Sequence, residues 1–423
     1  MHFFQASKNI IPFLLPFAIP FSRSLADICV VLIAILFLCK SYFENEWNWV
    51  KEGWFKFALI FFLYCIFINT PLSIDSLTSL QYSIFFIRWP LFALALGYWI
   101  LNDIKSLKNF LVVTFFVSLF LIFDTWYQYI LGVDIFGVEA FSESRLTGPF
   151  RRPHIGMWLT KLIILPIFLF TLIRKYKNFL KNKFSPLTFL TFFAVFFLTI
   201  FITGERMALL MSILSIFTIL LGLIACKNIS ILKAVSFLFL ISIAIYFFSF
   251  IDPEQTQRAI YSSIHKIMNW KNSDYGLVWK SAFDVWQESP WFGAGLHKYR
   301  EACGLLGTYG TVDNPIGSGV CFHPHNISMQ LLSETGIVGF ILFFTMVVSL
   351  SIRLLKGSFV KKDWLLYFLT LNVLVACFLP IQSNTDFLSN KHSSLVWLLV
   401  GFSLGLCRYM ENIKSHHNPT KPN

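Results

Sequence analysis

Charge is what this 423-residue sequence has least of: Asp, Glu, Lys and Arg make up 13% of it, against 56% hydrophobic residues. A water-soluble domain carries roughly a quarter of its residues charged, so that class is excluded and a polytopic membrane protein remains. Acids are scarcer than bases, 22 against 34, leaving a net charge of +12. That excess does not mark a nucleic-acid binder, because most Lys and Arg stand in short connections between apolar runs. There is no HExxH pattern, no paired CxxC, no internal repeat and no low-complexity tract. No metal site is expected: His323 and His325, two residues apart, do not converge well on one ion. Cysteines number only eight, and six lie in or beside apolar runs, where the thiol behaves as a small hydrophobe. Cys303 and Cys321 share one long connection; they stand as a disulfide if it faces an oxidising compartment, and otherwise as two thiols.

What the sequence has in abundance is apolar runs long enough to cross roughly 30 Å of hydrocarbon. Twelve are expected, at 9–22, 24–40, 55–70, 82–101, 109–131, 155–173, 187–203, 207–226, 234–251, 335–354, 364–384 and 392–410. The first, from Ile10 to Phe21 with three prolines, reads as a transmembrane segment and not as a cleavable signal peptide. Glu44 to Trp54, with Trp47, Trp49 and Trp54, reads as an interfacial helix. With the N-terminus inside, 20 of the 34 Lys and Arg fall on the inner side, led by Arg174, Lys175, Lys177, Lys181 and Lys183. Twelve fall outside, most of them in 132–154 and 252–334. The organisation expected is nine spans over 1–251, one large outer helical loop over 252–334, three spans over 335–410 and a polar, disordered tail over 411–423. Within the loop, Tyr275 to Ser289 reads as an amphipathic helix ending at Pro290.

Two outward strings carry the chemistry. Arg206, after Thr203-Gly204-Glu205, sits at a junction of two spans, where a guanidinium reaches a phosphate while its stem stays in the apolar layer. Glu205 is expected to orient it. His325 follows Pro324 and precedes a helical run, which places it in the first turn, where the helix dipole favours a neutral ring able to act as a base. His323, Asn326 and Glu334 lie close by in sequence. Arg145, Arg151 and Arg152, among turn residues, suit a diphosphate clamp or contact with lipid headgroups. Arg88, Asp124 and Lys161 stand roughly 10 Å deep in their spans, which suggests an outward polar vestibule or simple ion pairing.

With these residues in view, the chain resembles the O-antigen ligase family, with its related polymerases and protein O-oligosaccharyltransferases. The stretches that carry the resemblance are Arg145-Leu146-Thr147-Gly148-Pro149-Phe150, Thr203 to Arg206 with Leu210, Trp286 through Pro290 to Gly295, and His325-Asn326 through Glu334-Thr335-Gly336. The resemblance implies an all-α fold of the glycosyltransferase type C kind in the bacterial inner membrane, with the site and large loop facing the periplasm. It implies transfer of a glycan from undecaprenyl diphosphate to a hydroxyl of lipid A–core, with no metal, ATP or other cofactor. Arg206 matches the family's arginine after span seven and His325 its late-loop histidine. A further arginine is expected around Tyr275 or Gly276 and is missing; Lys280, Arg258 or Arg300 stand as replacements. Within the same chemistry the acceptor is alternatively another lipid-linked glycan or a protein. From another class, a lipid-linked glycan transporter also has twelve spans and buried charges, but more often shows related halves and broken mid-membrane helices.

Overall fold

A computed structural model of the chain describes residues 2–175, 186–308, 320–380, 382 and 386–417. Among these residues the fold is helical, with two isolated β-bridges in the 133–145 stretch. The first half holds α1 (His2–Phe21), α2 (Arg23–Phe43), α3 (Gly53–Tyr64), α4 (Ser76–Phe86), α5 (Arg88–Ala95), α6 (Ile104–Leu131), α7 (Ile155–Leu162), α8 (Ile164–Lys175) and α9 (Pro186–Ile202). Then come α10 (Arg206–Ala225) and α11 (Ile231–Ile251), followed by α12 (Pro253–Thr256), α13 (Ser262–Met268), α14 (Asp274–Glu288) and α15 (Tyr299–Leu305) of the long connection. Three long helices close the chain: α16 (Ile327–Val360), α17 (Trp364–Phe378) and α18 (Asn390–His417). Each apolar stretch read from the sequence falls on one of these helices or on two in succession. By length and composition, 7 of the described spans are able to cross a membrane, with four shorter apolar helices beside them. The chain is a multi-pass membrane protein.

Hydrogen bonds and ion pairs sort the connections onto two faces. On one, Lys8 pairs with Asp103 at 2.7 Å, and Arg353 reaches both Glu52 at 2.9 Å and Glu411 at 2.8 Å. On the other, the α1–α2 junction, the 141–154 connection, residues 323–325 and residues 386–392 line one cavity. Alternate connections therefore gather on alternate faces, as an up-and-down bundle requires.

Several details differ from the reading of the sequence. The stretch Glu44–Trp54 forms no interfacial helix: it holds a 3-10 turn over Asn48–Lys51, and Trp49 and Trp54 are 4% and 0% exposed. Trp49 donates to Ser41 Oγ at 3.0 Å, so these indoles fill core space and do not float at the interface. The tail is helical as far as His417, because α18 runs on through the polar residues that follow the span. Lys177, Lys181 and Lys183 lie outside the described residues. The run Asn326–Ser333 and the span after it form one helix, α16, kinked at Gly336 (φ 64°).

Candidate functional site

The site is built on a tight turn between α9 and α10. Gly204 adopts φ +68°, and a Cβ there would lie 2.0 Å from the carbonyl oxygen of Ser144, so only glycine lets the 142–154 connection cross the turn. Leu146 N donates to Thr203 O at 3.2 Å and fastens the crossing. The fully buried Gln128 of α6 holds the connection from below, its Oε1 accepting from the amides of Thr147 and Gly148 at 2.9 Å. Asp124, another buried side chain of α6, accepts from Ile135 N at 3.0 Å; it supports this connection and lines no vestibule. Arg88 is likewise structural, held by Asp27 at 3.2 Å and Asn390 at 2.8 Å. Of the three in-span charges, Lys161 lines the cavity.

Glu205 does not orient Arg206. Its carboxylate accepts from Gly156 N at 2.7 Å and Met157 N at 3.2 Å, capping the first turn of α7, where amides without helical partners attract an anion. Arg206, first residue of α10, is half-buried. Beside it, Arg258 in the π turn Gln257–Tyr261 donates through Nε to Gly204 O at 3.2 Å. Burial and then the Arg145 and Arg206 charges push the Arg258 guanidinium down to about 10. Among the described residues none of these three arginines is ion-paired with a carboxylate. Guanidinium groups gathered without a direct ion-pair partner suit the binding of an anion.

The missing arginine near 275 has a physical reason. A Cβ at Gly276 would lie 2.0 Å from Trp270 O, and Tyr275 stands edge-on to the His325 ring, centroids 6.3 Å apart. Arg258 supplies a guanidinium from a different element. Lys280 is exposed on α14 and Arg300 lies over the Phe322 ring at 4.7 Å; neither lines the cavity.

His325 is not in a helical turn. It holds φ 53°, and α16 begins at Ile327 with Asn326 as its N-cap, the Asn326 Oδ1 accepting from Met329 N at 3.0 Å. A side chain that caps outcompetes a proline placed two residues too early. The dipole argument for a neutral His325 ring therefore falls. Instead, the His325 and His323 rings lie 3.8 Å apart by centroid, and His323 Nε2 is buried without a partner. Burial, helped by neighbouring His154 and Arg152, lowers His323 to about 4. His154 falls to about 4 through burial, Lys391, Arg145, Arg152 and His325. Both rings are neutral at pH 7. Cys303 and Cys321 are joined as a disulfide, and Tyr299 Oη donates to Val320 O at 2.8 Å, which anchors the segment leading to these histidines. Glu334 stands in a supporting structural position, its carboxylate accepting from His297 N at 3.0 Å.

All of this converges on a cavity of about 1180 Å³ whose wall includes Arg145, Arg151, Arg152, His154, His323 and His325. Arg206 is not on that wall. It connects through Arg258, which feels both Arg145 and Arg206, and through Asp274, which feels Arg206 and adjoins Tyr275. Wall residues not singled out from the sequence include Asp386, Lys391 and His392. Nothing local marks them, since they sit at the start of the last apolar run. Among the described residues no three His, Cys, Asp or Glu side chains converge in a manner that would hold a metal ion.

No curated protein matches the chain. Residues 190–344 match the family model Wzy_C, described as O-Antigen ligase. That stretch takes in Arg206, Arg258, Tyr275, His323, His325 and the Gly336 kink, the half of the site contributed by the α9–α10 turn and the long connection. Over that stretch, and in its multi-pass helical fold, the chain is similar to the O-antigen ligase family, membrane glycosyltransferases of ligase and polymerase type.

Proposed function

We propose that this chain transfers a glycan from undecaprenyl diphosphate to a hydroxyl of lipid A–core, at a site facing the periplasm of the bacterial inner membrane. The observation that carries this reading is the group Arg145, Arg206 and Arg258, none of them ion-paired with a carboxylate among the described residues, next to a cavity edged by His323 and His325. The guanidinium groups bind the diphosphate and neutralise the charge it gains as it leaves. His325 takes the proton from the acceptor hydroxyl while the acceptor oxygen attacks the anomeric carbon. The glycosidic C–O bond forms as the bond from the anomeric carbon to the diphosphate oxygen breaks, in one displacement that inverts the anomeric centre. The diphosphate is itself the leaving group, so the step calls for no ATP. Arg258 fills the place of the loop arginine that the resemblance expects.

Reconstitution in proteoliposomes tests this. Wild type is expected to join a glycan from undecaprenyl diphosphate to lipid A–core, His325→Ala to lose transfer while remaining folded in the membrane, and Arg206→Ala to lose most of it. Near-normal transfer by His325→Ala would remove the base assignment. A product on a second lipid-linked glycan, or on protein, with none on lipid A–core would replace the ligase reading by polymerase or protein transferase. Substrate crossing the bilayer with its glycosidic bond intact would make the chain a transporter.

A further inference from the structure

The same cavity carries polar groups that the mechanism above does not use. Lys161 lies six residues past Ile155 on α7, about 9 Å along the helix axis. It is 2% exposed yet lines the cavity, and among the described residues its ammonium has no hydrogen bond or ion pair. An isolated buried ammonium is costly, and such groups in membrane helices mark sites for ligands. The acids that act on it are the Cys377 thiol and the Glu205 carboxylate, which is already committed to the α7 amides.

Next to it stands His392, 6% exposed and also on the cavity wall, with Nε2 buried and unpartnered. Lys161 is among the charges His392 feels. Ser389, Lys391 and His392, at the start of the 28-residue α18, all line the cavity, so the positive end of that helix also faces it. Lys391 differs from Lys161: its ammonium sits over the Phe150 ring at 3.8 Å and is accounted for. An unpaired ammonium, an imidazole nitrogen without a partner and a helix N-terminus, all opening into one cavity, fit a compact, multiply charged oxyanion.

We propose that Lys161 and His392 form a subsite for a phosphate group, distinct from the Arg145–Arg206–Arg258 cluster. This rests on the glycosyl-transfer reading, and two sources supply such a group: a prenyl diphosphate or a phosphorylated sugar acceptor.

Binding to the full-length protein in nanodiscs tests it, with farnesyl diphosphate and mannose 6-phosphate as probes and farnesol as the uncharged control. Lys161→Met is expected to weaken one phosphate probe roughly tenfold or more, the loss of one charge-assisted contact, with farnesol unchanged. Lys161→Arg should stay within a few-fold of wild type. The ligand-free Lys161→Met protein should melt no lower than wild type, because an unpaired buried charge has been removed. The probe that loses affinity names the source. If Lys161→Met does not fold, His392→Gln carries the same comparison. Wild-type binding of both probes by these variants would overturn the subsite; if Arg206→Ala still abolished transfer, the reading of the arginine cluster would survive. Loss of probe binding without any effect of Arg206→Ala on transfer would instead spare the subsite and sink the cluster reading.

Discussion

At the scale of single residues, the site depends on groups whose properties come from neighbours distant in sequence. Arg258 is the clearest case. Its charge is crowded by Arg145 and Arg206, and its Nε is fixed on Gly204 O. Arg258→Ala should lower kcat for transfer by roughly 10²-fold, the usual cost of one preorganised donor to developing charge. Arg258→Lys should recover part of that, and steady-state kinetics in proteoliposomes would decide; an unchanged kcat would leave Arg258 a mere strut. The sequence made Arg206 and His325 legible because each sits in a short recognisable string. It left Arg258 as one of three possibilities, because its position depends on a π turn folding back on Gly204, which no local pattern encodes. The neutral histidines give a second prediction. His154 and His323 titrate near 4 when folded, against 6.5 for an ordinary histidine, so between those values the unfolded chain binds more protons. Stability is therefore fully present above pH 6.5 and is lost as pH falls toward 4. Facing these rings are Arg145, Arg152, Lys391 and His325, all cationic or able to become so, and their repulsion adds to the same trend. Melting curves from pH 7.5 to 4.5 should show a steady fall in Tm, with a shallower slope in His154→Asn and His323→Asn. A flat profile would mean that these rings are solvated.

At the scale of elements, hydropathy located the helices and capping chemistry set where they begin. The spans were legible because an apolar run of that length has one stable conformation in lipid. The start of α16 was misplaced because Pro324 suggests a first turn, whereas Asn326 supplies the cap and leaves His325 outside the helix at φ 53°. Glu205 was misassigned for a related reason: its partners, the amides of Gly156 and Met157, belong to a helix about fifty residues earlier in the chain. The segment that presents the histidines is fixed by the Cys303–Cys321 bond, which closes a separation of 18 residues. Such a cross-link constrains the unfolded chain by about 3 kcal/mol. Cys303→Ser with Cys321→Ser should lower Tm and reduce transfer more strongly than it weakens donor binding, since the arginine cluster stands on other elements. Equal losses in both would show that the bond only supports the fold.

At the scale of the whole molecule, charge is distributed in two different ways on the two faces. On the face with Lys8, Arg353 and Glu411 the bases are paired with acids: Lys8 with Asp103, Lys40 with Glu46 at 2.7 Å, and Arg353 with Glu52 and Glu411. On the cavity face, Lys298 pairs with Asp75 and Lys266 with Asp274, but Arg145, Arg206, Arg258 and Lys161 have no such partners among the described residues. Paired bases in short connections satisfy the rule that positive loops stay inside, while the unpaired ones break it only where the cavity lies. The proposed orientation, with the cavity face toward the periplasm, is open to direct measurement. In a background lacking the six unpaired cysteines, Ser142→Cys on the cavity face should react with a membrane-impermeant maleimide in intact spheroplasts. Ser230→Cys, exposed between α10 and α11 on the other face, should react only after the membrane is opened. The reverse pattern would turn the arginine cluster toward the cytoplasm, where a periplasmic acceptor never meets it, and glycan transfer of the proposed kind would then have no access to its second substrate.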